Sequence, residues 1–252
     1  MSSVINSTDR SFNYGDGIFT TMQVRAGEIQ LWPLHLQRLQ AGTRQLGFAE
    51  IDWLQLQQQA AAAISQQAQV IKVLISRGDG GRGYAVAGVS APNIYISTSL
   101  MPNYSNLRQL GVSMQLASLQ LAVQPKLAGL KHNNRLEQVL LKQELAATAA
   151  EELLVLDQQG FVTEVTAANV FMHRDGKWHT PMLQRAGVAG VMRQHIMQQT
   201  AISQVNWQLD ELNTVEAMFI CNALMGIVPV HSLQTRPLSV ALVQQFVKQV
   251  AC

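Results

Sequence analysis

Two patterns of apolar residues follow one another along the chain. Short runs in which apolar and polar positions alternate predict strands, and longer stretches with apolar residues at helical spacing predict helices. The first runs, Ile18–Val24 and Ile29–Trp32, predict two strands joined by a turn over residues 25–28. Pro33 then predicts the first turn of a helix that ends near Gly47. The remaining strands are predicted over Val70–Ser76, Asn93–Ser99, Glu152–Leu156, Phe161–Glu164, the hairpin Val170–Thr180, Glu216–Cys221 and Ile227–Val230, with another beginning at Gly111. The remaining helices are predicted over Trp53–Gln67 with Asp52 as N-cap, Asn133–Ala147, Val191–Thr200 and Leu238–Val250.

A connector-like stretch over Met101–Asn106 interrupts this pattern. It predicts a small N-terminal domain over residues 1–105, a linker over residues 106–110 and a larger C-terminal domain over residues 111–252. Because strands and helices are mixed in both parts, the predicted fold class is α+β.

Composition excludes several classes of protein. Charged residues make up only 13% of the chain and the net charge is +2, which argues against nucleic-acid or membrane-surface binding. No apolar run is long enough for a membrane span, and the N-terminus lacks the apolar core of a signal peptide. The two cysteines, Cys221 and Cys252, form no disulfide pattern, so we expect reduced thiols in a cytoplasmic protein.

Two residues are candidates for catalysis. Lys131 lies between a glycine-containing loop and a helix start, where burial can lower the pKa of an amine and make it nucleophilic. A solvated lysine is the alternative interpretation. Glu164 ends a strand among small and apolar residues, where a carboxylate needs a partner. A structural hydrogen bond is the alternative for Glu164.

Three glycine-containing segments are candidates for anion binding, and a simple loop is the alternative interpretation for Ala186–Arg193. Ala186–Arg193 leads into a helix, Cys221–Gly226 joins two strands, and Ser76–Tyr84 carries arginines between glycines. None has the P-loop ending or the complete dinucleotide fingerprint. The six histidines show no zinc-binding spacing, so no metal site is expected. No serine-hydrolase elbow occurs, so a hydrolase triad is not supported.

Taken together, these segments resemble the fold-type IV enzymes that depend on pyridoxal 5′-phosphate (PLP). This family contains branched-chain and D-amino acid aminotransferases and aminodeoxychorismate lyases. The resemblance extends from Asp9 to about Val230 and rests on six segments in the same order: Tyr14–Thr21, His35–Arg38, the Lys131 segment, Glu164–Phe171, Gly190–Arg193 and the Asn222 loop before Pro229.

The resemblance implies a role for each matching residue. Lys131 matches the lysine that binds PLP covalently, Glu164 the partner of the pyridine nitrogen, and Arg38 the arginine that binds the phosphate. The backbone N–H groups of Val191 and Met192 and the loop of Asn222 and Ala223 match the rest of the phosphate site, and Asn134 matches a contact to the ring oxygen. Thr21 matches a proton donor, and Arg82 and Tyr84 are expected to contact substrate.

Within the family, Phe19-Thr20-Thr21, Gly129–Gln138 and Ser76–Tyr84 resemble the lyases. The resemblance therefore implies conversion of 4-amino-4-deoxychorismate to p-aminobenzoate and pyruvate, for folate biosynthesis, by a homodimer. Gln23 departs from the arginine of some relatives, which bears on carboxylate binding. The alternatives are an aminotransferase for D- or branched-chain amino acids, and a protein that keeps the fold without catalysis.

Overall fold

The computed structural model describes residues 5–250, so Cys252 lies outside the described residues. The chain folds into two compact units. The first unit extends to Pro102 and also contains Lys131–Arg135. The second unit consists of Asn103–Leu130 and the chain from Leu136 onward.

An antiparallel four-stranded sheet forms the centre of the first unit, in the order β2-β1-β3-β4. Its elements are α1 (Arg10–Tyr14), β1 (Gly17–Arg25), β2 (Glu28–Ile29), α2 (Trp32–Gln45), α3 (Trp53–Ala62), β3 (Ala68–Ser76) and β4 (Asn93–Leu100). Strand β1 buries Ile18, Met22 and Val24 against α2 and α3. The opposite face of β1 carries Phe19, Thr21 and Gln23, because successive strand residues point to opposite faces.

Two predicted boundaries in this unit were wrong. The predicted strand over Ile29–Trp32 is only the two-residue β2, because Leu31 adopts a left-handed conformation (φ 54°) and α2 begins at once with Pro33 in its first turn. The helix predicted to reach Gln67 ends at Ala62. The buried Gln69 side chain accepts hydrogen bonds from the N–H groups of Ser65 and Gln66 and thereby takes the chain out of the helix. The predicted cap was correct, because Asp52 accepts from the Gln55 N–H at 2.8 Å.

A larger mixed sheet forms the centre of the second unit, in the order β10-β9-β8-β11-β12-β5-β6-β7, with β13 pairing to β12. Its strands are β5 (Val112–Leu116), β6 (Glu152–Leu156), β7 (Val162–Val165), β8 (Asn169–Arg174), β9 (Lys177–Pro181), β10 (Ser203–Val205), β11 (Ala217–Asn222), β12 (Gly226–Leu233) and β13 (Arg236–Pro237). Its helices are α4 (Ser105–Leu110), α5 (Leu136–Ala146), α6 (Val191–Gln199) and α7 (Val240–Val247), with a 3₁₀ helix over Leu209–Thr214. Stacked rings of Phe171 and Phe219, 4.6 Å apart, lie in its core.

The α+β fold predicted from the sequence is confirmed. Three differences concern the segments between elements. Residues 106–110, predicted as a linker, lie in helix α4, and Lys131, predicted to belong to the C-terminal domain, clusters with the first unit. The helix predicted from Asn133 begins at Leu136, because the residues before it pair with a strand. Among residues 5–250, no helix is both long and apolar enough to cross a membrane.

Candidate active site

Backbone pairing determines the position of Lys131. The Phe19 N–H donates to the Lys131 carbonyl at 3.0 Å, and the Asn133 N–H donates to the Gly17 carbonyl at 2.8 Å. Residues 131–133 therefore extend along the edge of β1 that β3 leaves open, with Ile18 opposite His132. The lysine is held by main-chain hydrogen bonds, which do not depend on its own side chain.

The segment Tyr14-Gly15-Asp16-Gly17 makes this pairing possible. Gly15 caps α1 with a φ of 67°, where glycine avoids the strain that a side chain would meet. Gly17 lies directly against the Asn133 side-chain amide, which would overlap any Cβ at this position. Glycine is therefore needed at both positions for a structural reason: the backbone conformation at Gly15 and the close approach of Asn133 at Gly17.

The Lys131 side chain lies on the face of β1 that carries Phe19 and Thr21. Its Nζ is 4.6 Å from the centre of the Phe19 ring. The Nζ of Lys72 is 4.7 Å from the same ring, and Lys72 is directly opposite Thr21 across the β1–β3 pair. Two lysine side chains therefore meet one aromatic ring, on the face of β1 that also carries Thr21.

Sequence reasoning did not identify Lys72 as a site residue. It is half-buried in β3, where most other side chains are apolar, and no carboxylate within residues 5–250 forms an ion pair with it. A charged residue inside an apolar strand was the available signal. To interpret this signal, one would have needed the register between β1 and β3, which places Lys72 beside Thr21.

Arg38 belongs to a buried polar group on the other face of β1. Its guanidinium donates to the Thr20 hydroxyl, which is also 2.6 Å from His35 Nδ1. Burial, and then the nearby Arg135, lowers the pKa of Arg38 to about 10, so it is charged at neutral pH. Its buried Nε has no hydrogen-bond partner among the described residues, and no described carboxylate pairs with it. Such a cation is suited to binding an anion.

In the second unit, Glu164 is held by a tight glycine turn. The side chain is 4% exposed, and its Oε2 accepts from the Val188 N–H at 2.8 Å. Gly187 has a φ of 81°, and a Cβ there would lie 2.7 Å from Thr163 and 3.3 Å from the Glu164 carboxylate. The turn therefore needs glycine to come this close to the carboxylate.

Asn169 fixes the start of α6 in the same unit. Its amide donates to the Val188 carbonyl at 2.8 Å, and its Oδ1 accepts from the Gly190 N–H at 3.1 Å. Val191 and Met192 follow in the first helical turn, whose N–H groups have no acceptor within the helix. Asn169 was part of a motif in the sequence but was not assigned a role, because only the structure shows that it connects β8 to the 188–190 loop.

The loop of Asn222 and Ala223 is closed by the Asn222 side chain. Its Oδ1 accepts from the N–H groups of Leu224 and Met225 at 3.0 and 2.9 Å, and its amide donates to the Ala167 carbonyl at 3.2 Å. The Asn222 side chain is thus occupied in shaping the turn, which leaves the backbone as the part of this loop that can meet a ligand.

The predicted site residues divide between the two units. Lys131, Thr21, Arg38, Asn134, Arg82 and Tyr84 lie in the first, and Glu164, Val191, Met192, Asn222 and Ala223 in the second. Asn134 is exposed beside Gly15, and Arg82 and Tyr84 are exposed in the β3–β4 loop. A cavity of about 620 Å³ in the second unit, lined by residues such as Leu116 and Arg236, contains none of them.

The fold and these two residue sets define the class of protein. The sequence profile of the amino-transferase class IV family matches residues 17–233, and the chain belongs to this family. Enzymes of the family depend on PLP.

Three individual proteins show which members of the family the chain is similar to. The chain is 37% identical over 232 residues to an aminodeoxychorismate lyase from Vibrio harveyi, covering 89% of this chain and 86% of the relative. The crystal structure of 4-amino-4-deoxychorismate lyase from Pseudomonas aeruginosa is 36% identical and superposes with a TM-score of 0.93, covering 99% of this chain and 95% of the other. The PLP-bound form of a hypothetical aminotransferase from Mycobacterium tuberculosis, 20% identical with a TM-score of 0.86 over 98% of this chain and 92% of that one, shares the fold.

The close contact at Gly17 gives a first prediction. A Cβ at this position displaces Asn133, so Gly17→Ala should lower the free energy of unfolding by about 1–3 kcal/mol. Because Asn133 belongs to the segment that holds Lys131, uptake of added PLP should also fall. Gly81→Ala is the control, because no atom lies within 4 Å of a Cβ built there. Denaturant unfolding and absorbance titration measure both effects, and equal behaviour of the two variants would contradict the account.

The buried His35 gives a prediction about pH. Burial, and then the charge of Arg38, holds the pKa of His35 well below 6.5, so the folded protein keeps this ring neutral. The unfolded chain takes up the proton below about pH 6.5, and stability should therefore fall as pH decreases through that value. In His35→Asn, the decline of the melting temperature between about pH 7 and pH 5 should be shallower than in wild type. Parallel curves would show that His35 does not contribute.

Proposed function

We propose that this protein is a PLP-dependent lyase that converts 4-amino-4-deoxychorismate to p-aminobenzoate and pyruvate. The observation that carries the proposal is the arrangement around Phe19, where the Lys131 amine and the Thr21 hydroxyl share one face of β1. This elimination needs both a base and a proton donor. The two lyase relatives that are more than one-third identical support the same reaction.

The residues fit PLP in three respects. Arg38 is a charged arginine with an unpaired buried Nε, which suits the phosphate. Glu164 is a buried carboxylate that suits a protonated pyridine nitrogen. Lys131 is the amine proposed to attach the cofactor. The N–H groups of Val191 and Met192, the loop of Asn222 and Ala223, and Asn134 are proposed as further contacts.

The chemistry divides among these residues. When bound, the cofactor supplies an electron sink for the pair released at C4 of the substrate. The Lys131 amine is proposed to remove the C4 proton, and Glu164 would keep the pyridine nitrogen of the bound cofactor protonated. The C3–O bond then breaks, enolpyruvate leaves, and the ring becomes aromatic, which makes the reaction strongly downhill.

Thr21 is proposed to serve the leaving group. Enolpyruvate must gain one proton to become pyruvate, and the Thr21 hydroxyl can deliver it directly or through a water molecule. Thr20, the adjacent residue, points to the opposite face and is bound to Arg38 and His35. Adjacent threonines thus have separate proposed tasks, one toward the leaving group and one toward the phosphate.

Lys72 and Arg82 are proposed to bind the substrate's two carboxylates. Lys72 lies beside Thr21 and has no described acidic partner. Arg82 is exposed in the glycine-rich loop together with Tyr84, which is proposed to contact substrate as well. Gln23 projects from the same face of β1 as Thr21 and carries no charge, so Lys72 is the residue proposed to bind a carboxylate there.

A product assay tests the proposed function. Purified protein with added PLP is mixed with fresh 4-amino-4-deoxychorismate, and p-aminobenzoate fluorescence and pyruvate are followed together. Equal amounts of both products are expected. Neither product, in a protein that shows the PLP absorbance, would refute the lyase.

An aminotransferase is the second candidate, because the chain is 24% identical over 240 residues to a D-alanine aminotransferase from Bacillus licheniformis. It shares the roles proposed for Lys131, Glu164 and Arg38, so those residues do not discriminate. Transfer of an amino group to 2-oxoglutarate from a panel of D- and branched-chain amino acids distinguishes it.

The homodimer, the cytoplasmic location and the place in folate biosynthesis stay predictions.

Substitution of Thr21 separates chemistry from cofactor binding. Thr21→Ala should lower kcat by roughly 10²–10⁴-fold, because a positioned proton donor is lost, while the PLP absorbance is retained. Lys131→Ala should lose both turnover and the absorbance of bound PLP. Stopped-flow absorbance and product fluorescence measure these effects. Loss of PLP from Thr21→Ala would make Thr21 a structural residue.

Substitution of Lys72 tests carboxylate binding. Lys72→Met removes the charge and keeps the length, and should lower kcat/KM by about 10–100-fold, the range for a hydrogen bond to a charged group. The loss should fall mainly on KM. Lys177→Met, an exposed lysine of the second unit, is the control. An unchanged KM in Lys72→Met would exclude this role.

A further inference from the structure

We propose that Arg10 is a positioning residue for the substrate: it anchors residues 83–85 and thereby places the exposed Arg82 and Tyr84. The inference rests on the proposed function, in which those two side chains contact substrate. Arg10 itself is buried, and its guanidinium is already bonded to Asp16 and to backbone carbonyls, so it acts on the substrate through the loop.

The guanidinium of Arg10 connects one carboxylate to three consecutive carbonyl groups. Its Nε donates to Asp16 at 2.9 Å. Its two terminal nitrogens donate to the carbonyls of Gly83 at 3.2 Å, Tyr84 at 3.1 Å and Ala85 at 3.2 Å. Hydrogen bonds from an ionised donor are stronger than those between neutral groups, so this set holds the backbone on both sides of Tyr84.

Tyr14 provides a second anchor for the same segment. Its hydroxyl accepts from the Gly83 N–H at 3.1 Å, and its ring meets the Tyr84 ring edge-on at 5.3 Å. The Arg10 guanidinium lies 5.1 Å from the centre of the Tyr14 ring. Gly80 lets the loop approach, because a Cβ there would lie 3.1 Å from Arg10 Cδ.

The loop needs such anchors. The 16 residues from Arg77 to Pro92 between β3 and β4 contain neither helix nor strand. Loops of this length in a compact protein usually carry a function, and an unanchored loop loses entropy when it binds a ligand. Because Arg10 already orders the loop in the free protein, less entropy is lost when substrate binds. The effect of Arg10 is therefore expected in substrate binding.

Arg77 is the matched control. It donates to the same Asp16 oxygen at 2.7 Å and is also largely buried. Its terminal nitrogens bind the carbonyls of Gly47 and Leu46 after α2, at 3.0 and 2.8 Å, and do not contact residues 83–85. Arg77→Lys therefore perturbs the same ion pair without releasing the segment that Arg10 holds.

The experiment compares Arg10→Lys and Arg77→Lys in the PLP-loaded enzyme. Trypsin cleavage of the native protein after Arg82 reports loop order without using activity, and is followed by mass spectrometry. Arg10→Lys should raise this cleavage rate and the KM each by about tenfold, because a lysine cannot span three carbonyls, with kcat changed less than about threefold. Arg77→Lys should leave the cleavage rate and KM unchanged.

Two outcomes would overturn the inference. An unchanged cleavage rate in Arg10→Lys would show that Arg10 does not order the loop. Faster cleavage with an unchanged KM would show that loop order does not serve the substrate, although the lyase itself would stand. Absence of turnover in wild type would instead refute the proposed function.

If Arg10→Lys does not fold, Tyr14→Phe, which removes only the acceptor of the Gly83 N–H, should change cleavage and KM in the same direction by a smaller factor.

Discussion

The pairing of residues 131–133 with the open edge of β1 is the constraint on which the proposed site depends. Two main-chain hydrogen bonds, at 3.0 and 2.8 Å, hold Lys131 beside Phe19. The alternation of β1 then decides which neighbours the amine meets: Thr21 is on its face, and Thr20 is on the face of α2. A shift of one residue in this pairing would exchange the two threonines.

Each unit contains one buried charged side chain that suits the contact proposed for it. Arg38 is buried near Arg135 without a described acidic partner, which a bound phosphate would relieve. Glu164 is buried in the second unit and accepts a hydrogen bond from Val188, which suits a cationic ring nitrogen. A buried cation or carboxylate costs stability, and such costs are typical of functional sites.

Much of the fold follows from local signals in the sequence. The cap at Asp52, the turn before β2 and the proline at the start of α2 each have a local cause. The roles proposed for Lys131 and Glu164 come from the resemblance to fold-type IV enzymes, because spacing alone left them open. Three features depend on pairings distant in sequence and could not be predicted locally: the unit to which Lys131 belongs, the position of Lys72 beside Thr21, and the Arg10 contacts to residues 83–85.

We propose that main-chain pairing, rather than proximity to Phe19, selects the lysine that binds PLP. Lys131 and Lys72 lie at nearly equal distances from the Phe19 ring, 4.6 and 4.7 Å, so a direct measurement can discriminate between them. The PLP-loaded protein is reduced with borohydride and digested, and the modified peptide is identified by mass spectrometry. Pyridoxyl modification is expected at Lys131. Modification at Lys72, with Lys131 unmodified, would contradict the proposal.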